Sequence, residues 1–448
     1  MEDVSIDTRA SDKRMGALRW AVALFLAGIV ICNCAAQVRW FVDEQKRNNT
    51  LSQPCDLKVR YNEMLCIHRG VNPFHVWNRE VQDEQFHGLA RPDLDGPDAV
   101  MDFDKSVHAY PPWHTTYFWW YGWLPYGYVV AVFFLLTGFS LAALFLFFRR
   151  RQPESLSARA LYWSLLSYLY SESIFFLVIS GNYGGLNAGL LVLFLFAIRK
   201  NHHVLAGVTW AVMMIKPQLA ILLFWPLLIQ RRFVTIGVAA GTCLAAVALP
   251  AAVLHETPVE LIRQTLAQGI PYVGSPAWWR WADPWLGASS NLVRMGLFSV
   301  LCGWISWRIR EVKPEIFRFV APFVVLPVWF YCPNYDQIMT WLAAALVLWW
   351  LFNLPRKGFM WLFACWLPCV AFKSAWWVAR RFAGFNVVGI GWIYHAVDVV
   401  SILIAAFVFF DAIRQLERRA AQGHMRAEAP TEEGLVVCQK GMPPLTTP

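Results

Sequence analysis

Three kinds of ionisable residue stand apart from the rest of this chain. Lys216 interrupts an apolar stretch between Val212-Met213-Met214-Ile215 and residues 219–225, and Pro217 follows it, freeing backbone groups alongside. A lone cation in such a setting suits a phosphate-bearing lipid; the competing role is an anchor whose ammonium snorkels to the interface. Asp56 opens the mixed segment Asp56-Leu-Lys-Val-Arg-Tyr61, where a carboxylate either accepts a proton from a hydroxyl or caps a helix. Asp336, in Cys332-Pro-Asn-Tyr-Asp-Gln337, has the same two options. Glu172, within Tyr170-Ser-Glu-Ser-Ile174, is an acidic group inside an apolar run, where a charge is costly. Arg280, Arg380 and Arg381 lie beside tryptophans, a setting typical of headgroup contact. No CxxC or Cys/His spacing suggests a metal site.

The elements that must position these groups are membrane helices. Of 448 residues 57% are hydrophobic and 15% charged, too little polar surface to wrap a soluble core. The apolar residues come in runs, such as 128–148, 190–197 and 400–410, without the alternation of a barrel strand. The expected fold is therefore an all-α integral membrane protein, a polytopic bundle of about 10–12 transmembrane helices. Crossings are expected after Arg19 and at 124–148, 160–180, 183–198, 233–253, 290–307, 316–331, 337–354, 358–372 and 389–411. Residues 199–232 differ: two arms of about 12 residues, each ~18 Å of helix, flank Lys216-Pro217 and are shorter than a ~30 Å hydrocarbon layer. They form either two short helices meeting at the proline near the outer face or one hairpin dipping in from inside.

The net charge of +9 is distributed as a topology signal rather than as a nucleic-acid patch. With alternating crossings, the basic loops at 149–151, 199–200, 231–232, 308–313 and 356–357 share one side with Lys13, Arg14, Arg418 and Arg419. That side is the cytoplasm by the positive-inside rule. The chain then divides into a cytoplasmic tail (1–15), a membrane domain (16–414) with a large first outer loop (41–113), and a disordered cytoplasmic tail (415–448). Twelve of the 30 acidic residues fall in that loop, as do Cys55 and Cys66, which an oxidising compartment would allow to pair. Many of the 25 tryptophans fall near span ends, where amphipathic rings settle.

The order of several motifs resembles glycosyltransferase family 87, polytopic enzymes of the GT-C superfamily. Asp56, Tyr61 and Gly70-Val-Asn-Pro-Phe74 are similar to the family's first outer loop, and His108-Ala-Tyr-Pro-Pro-Trp113 to its Tyr-Pro-Pro element. Gly181-Asn-Tyr-Gly-Gly-Leu-Asn187 resembles a Gly- and Asn-rich helix start. The most specific likeness runs from Leu205-Ala-Gly207 through Ile215-Lys-Pro-Gln218 to Gln230-Arg-Arg-Phe233. It extends over about 56–233, with Tyr335-Asp336 a weaker correspondence beyond; Phe74 replaces a usual Tyr, and the loop at 75–108 is longer and more acidic than is typical.

The resemblance implies transfer of a mannose-like or arabinose-like sugar from a polyprenyl-phosphate donor to a glycan or glycolipid acceptor, at the outer face of the inner (plasma) membrane. It implies an inverting displacement with Asp56 as general base, and neither cofactor nor metal. Lys216 would meet the leaving phosphate with Arg280 or Arg381 assisting; His108 and Tyr110 would orient the sugar, Asn182 and Asn187 would hydrogen-bond it, and Tyr61, Gln218 and Asp336 would complete the site. A transporter or flippase of a lipid-linked or anionic substrate also suits a proline-broken helix pair with a buried lysine, though no internal repeat supports it. A third class is an assembly subunit whose intramembrane charges pair with another chain.

The topology is directly testable with a membrane-impermeant thiol reagent on intact cells. A cysteine replacing Arg150 or Arg356 is expected to stay unlabelled from outside, and labelling of Arg150→Cys would contradict the assignment.

Overall fold

The structure, a computed structural model, describes residues 4–48, 55–70, 72–73, 110–272, 283–286, 289–311 and 315–325. Helix α1 (Val4–Asn48) is followed by α2 (Cys55–His68), α3 (Trp113–Tyr117) and a 3₁₀ turn (Trp119–Trp123). Then come α4 (Tyr126–Arg149), α5 (Leu156–Ser180), α6 (Gly184–Arg199) and α7 (His203–Met213). A broken arm follows, α8 (Pro217–Ala220), a 3₁₀ turn (Ile221–Leu223) and α9 (Phe224–Ile229). The remainder is α10 (Phe233–Leu254), α11 (Pro258–Tyr272), α12 (Asp283–Leu286), α13 (Ser290–Arg308) and α14 (Ile316–Val320), which runs into a 3₁₀ turn (Ala321–Val325). There is no strand among the described residues, and the fold is the all-α polytopic membrane architecture the sequence predicts.

Three described helices are long and apolar enough to cross a membrane: Met15–Asp43 within α1, Tyr126–Arg149 and Phe233–Leu254. Bent helix α5 makes a fourth when its two halves, Leu156–Ser171 and Ser173–Ser180, are taken as one span. At 24 residues α4 is about 36 Å long, enough for a ~30 Å hydrocarbon layer. Pro125 precedes it and Arg149 closes it, so both ends carry the residues a span boundary favours. Ser155 starts α5 by accepting a hydrogen bond from the Ala158 amide, and Gly181 ends it in the left-handed region at φ 66°.

Close packing rests on small residues. α4 meets α6 where a Cβ on Gly189 would lie 2.7 Å from the Ser140 Cα, and α7 meets α10 where one on Gly207 would lie 2.8 Å from the Thr235 carbonyl oxygen. Lipid tails are as apolar as the helices, so association inside a bilayer depends on such backbone approach rather than on hydrophobic burial.

Four features add to or amend the sequence reading. Helix α1 runs through Asn48, past the apolar span Met15–Asp43, and α2 makes residues 55–68 of the expected first outer loop helical. The crossing expected at 160–180 is bent by 42° at Glu172. Helix α11 was not anticipated: it buries Leu261 and Thr265 one turn apart while exposing Val259 and Leu266, a one-sided pattern too polar for a span. Finally, Cys55 and Cys66 occupy one helix eleven residues apart, roughly 16 Å along its axis, so they cannot join in a disulfide of Cα spacing below about 7 Å. Crossings at 337–354, 358–372 and 389–411, the end of 316–331, and the 415–448 tail lie outside the described residues.

The helix contact gives a stability test. Gly189→Leu is expected to force α4 and α6 apart and cost about 1–3 kcal/mol, while Gly237→Ala, with nothing within 4 Å of the added methyl, should shift stability by no more than about 0.5 kcal/mol. Thermal unfolding of the two purified variants compares them, and equal melting temperatures would contradict the packing.

Candidate functional site

The sequence motifs meet at one end of the bundle, opposite the arginine-rich loops. Gly181 turns the chain out of α5, and Tyr183 starts α6. Between them Asn182, only 2% exposed, donates its Nδ2 to Asp56 Oδ2 at 2.6 Å, while its Oδ1 accepts from the Gly184 amide at 3.0 Å. The amide is thus held from both sides, which fixes which face of the carboxylate it meets. Asp56 lies in the first turn of α2 and keeps part of its surface accessible.

One turn further along α2, Arg60 is buried, paired with Glu63 and centred 4.1 Å from the Tyr110 ring. Burial works against its charge, yet Glu63 above all, then Tyr110 and Asp56, hold the guanidinium above its ordinary range. Arg60 is thus a cation held in place by Glu63 and the Tyr110 ring, one turn along the helix from Asp56.

Tyr183 organises the aromatic floor beneath. Its buried ring stacks on Phe118 with centroids 4.8 Å apart and meets Tyr110 edge-on at 5.6 Å, His114 at 5.3 Å and Phe133 at 5.7 Å. Its hydroxyl bonds that of Tyr121 at 3.2 Å. Leu57, Tyr110, Tyr183 and Ile215 belong to one buried cluster, so the chain neighbours of Asp56, Asn182 and Lys216 pack together.

Lys216 occupies the break between α7 and α8, 2% exposed, with Pro217 as the first residue of α8. Burial at this level removes the snorkelling anchor as an explanation, since an anchor's ammonium reaches the surface. Trp113 Nε1 donates to the Met214 carbonyl at 2.9 Å and Asn187 Nδ2 to the Met213 carbonyl at 3.3 Å. These are acceptors in the last turn of a helix, where the ladder cannot satisfy every carbonyl. Trp210 Nε1 reaches across to the Ala220 carbonyl at 2.8 Å and joins the two arms. Of the two arrangements expected for 199–232, short helices meeting at the proline describe the result, and the Trp113 bond places their junction at the Asp56 end.

Other expected site residues have structural tasks. Tyr61 donates its hydroxyl to the Leu124 carbonyl at 3.1 Å and packs on Tyr126, docking α2 onto the start of α4. Asn187 is fully buried, its Nδ2 on the helix break and its Oδ1 without a hydrogen-bond partner. Tyr110 is buried beneath Arg60. Gln218 lies in α8, partly buried. His108, Arg280, Arg381 and Asp336 lie outside the described residues.

Sequence reasoning missed Arg60 and Glu63, whose spacing of three on a helix was a readable signal. It also missed Arg294, fully buried in α13, which interrupts an apolar run in the way Lys216 does. Tyr183 and His114 had no signal, because their partners are distant in sequence: Tyr183, at the start of α6, meets His114 of α3 and Phe133 of α4.

Tyr183 can be tested apart from any activity. Tyr183→Leu is expected to lower stability by about 2–4 kcal/mol, and Tyr183→Phe, which removes only the hydroxyl bond, by about 1 kcal/mol. Denaturation of both variants in the same detergent measures the difference, and equal losses would deny the ring its central place.

Comparison with known proteins bears on the same region. Residues 108–326 match the family model described as glycosyltransferase family 87. No curated protein matches the chain. The matched span holds Tyr110, Asn182, Tyr183, Lys216 and Arg294 but begins after Asp56, which joins the site through Asn182. A polytopic membrane fold and this match agree: over residues 108–326, a little under half of the chain, the protein is similar to glycosyltransferase family 87, which supports a membrane glycosyltransferase.

Proposed function

We propose that the chain moves a mannose-like or arabinose-like sugar from a polyprenyl-phosphate donor to a glycan or glycolipid acceptor at the outer face of the plasma membrane. The supporting observation is the 2.6 Å bond from Asn182 to Asp56, which couples an accessible carboxylate to the family-matched region that also contains buried Lys216.

In this reading the Asp56 carboxylate takes the proton of an acceptor hydroxyl while the hydroxyl oxygen attacks the anomeric carbon. The new carbon–oxygen bond forms as the bond from the anomeric carbon to the donor phosphate breaks, and its electron pair leaves with the phosphate. One displacement inverts the configuration. Asn182 orients the carboxylate toward the acceptor hydroxyl. Lys216 meets the phosphate as its charge grows, and a fixed cation in a dry site lowers that barrier more than one in water. Lipid donors suit this arrangement because Lys216 lies among the apolar helices of a membrane bundle.

Two variants separate the roles. Asp56→Asn keeps the shape and still bonds Asn182 after an amide flip, but it cannot accept a proton at neutral pH; turnover is expected to fall ~10²- to 10⁴-fold with donor affinity unchanged. Lys216→Met should instead weaken donor binding. Turnover kinetics with donor binding by the purified variants measure both, and wild-type turnover in Asp56→Asn would remove the base from this residue.

A further inference from the structure

At the opposite end of the bundle the described residues line an open cavity of about 490 Å³. Its walls come from the turn between α9 and α10, the start of α7, the end of α13 and the start of α14. Arg231, Arg232, Arg310 and Arg318 line it with Glu311 and Glu315, so four arginines against two glutamates leave a formal excess of two positive charges. His203 also lines it, with Nδ1 buried and no hydrogen-bond partner.

A positive-inside signal needs only basic residues in a short loop, whereas these arginines are held in place. Arg232 donates to Asn201 Oδ1 at 2.7 Å and to Glu315 Oε1 at 2.9 Å, which fixes its fork across two connections. Arg310 stacks on Trp307 with its guanidinium 4.1 Å from the ring and pairs with Glu311 at 3.2 Å. Arg231 is exposed and sits in the left-handed region at φ 56°, a conformation an arginine rarely adopts. The positive end of the 22-residue helix α10 adds to the field.

One wall is apolar and continues into the membrane. Phe233 and Val234 line the cavity, are 60% and 58% exposed, and begin the span Phe233–Leu254. Trp307, 56% exposed, stands at the other rim beside Arg310. A free phosphate would use the arginines alone, whereas a lipid uses both parts: phosphate among the guanidiniums, acyl chains along Phe233 and Val234. We propose that this cavity is a binding site for the phosphate headgroup of an anionic phospholipid in the cytoplasmic leaflet, separate from the sugar-transfer site at the other end of the bundle. Basic pockets between helices on the cytoplasmic side recognise lipid phosphates in this way.

The test uses the full chain in neutral detergent, titrated in parallel with short-chain phosphatidylglycerol, short-chain phosphatidylcholine and inorganic phosphate, with thermal unfolding as the readout. Phosphatidylglycerol alone is expected to raise the melting temperature at the concentrations used. Arg231→Gln combined with Arg318→Gln should weaken that effect about tenfold, and Arg231→Gln alone, at an exposed position that leaves folding intact, by a few-fold. Asp56→Asn should respond like the wild type, which separates this site from sugar transfer. Unchanged phosphatidylglycerol affinity in Arg231→Gln would overturn the proposal. So would equal stabilisation by inorganic phosphate, which would mark a soluble-anion site, or by phosphatidylcholine, which would mark general lipid solvation.

Discussion

The bond between Asn182 and Asp56 joins two parts of the chain far apart in sequence and fixes the carboxylate against the membrane bundle. Asp56 belongs to the short helix α2, Asn182 to the corner between α5 and α6. The same corner supplies Tyr183, whose ring holds the Tyr110–Phe118 segment, so three consecutive residues, Gly181, Asn182 and Tyr183, set both the direction of the chain and the position of the carboxylate. Tyr61 and the turn after α2 secure the helix further, the latter through Asn72, which donates to Glu256 and Gln264. Position at that one corner therefore carries through to the loop helix.

A second constraint comes from the membrane, which supplies no water to unsatisfied backbone groups. Breaking the chain at Lys216 is tolerated because Trp113, Asn187 and Trp210 bond carbonyls near the break. Each of those side chains comes from a different helix, so the break also locks α3, α6 and α7 together. A polar junction survives inside an apolar bundle when its backbone groups find such partners. Lys216 is buried at that junction, where a charge is costly.

Much of this was legible in the sequence, for reasons that differ by element. The long helices follow from apolar runs of span length, as at Tyr126–Arg149, and their ends from Pro125, Arg149 and Gly181. Lys216 and Asp56 stood out because a charge beside a proline or at a helix start is a local feature. The long-range partnerships were not legible: nothing in the spacing of Asn182 and Asp56, 126 residues apart, shows that they touch. Nor was it legible that Asn187, a motif position, bonds the Met213 carbonyl at the helix break. The bend at Glu172 and the amphipathic α11 were missed because windowed hydrophobicity registers neither a local kink nor a helix too polar to span.

The central claim is that the Asp56 end catalyses glycosyl transfer from a lipid phosphate. Incubation of the purified wild-type chain, reconstituted in a bilayer, with radiolabelled polyprenyl-phosphate sugars and a glycan acceptor tests it most directly. The account predicts labelled product whose new linkage has the configuration opposite to the donor's. Absence of product from every lipid-linked sugar, together with movement of the intact donor between leaflets, would contradict it and identify a transporter.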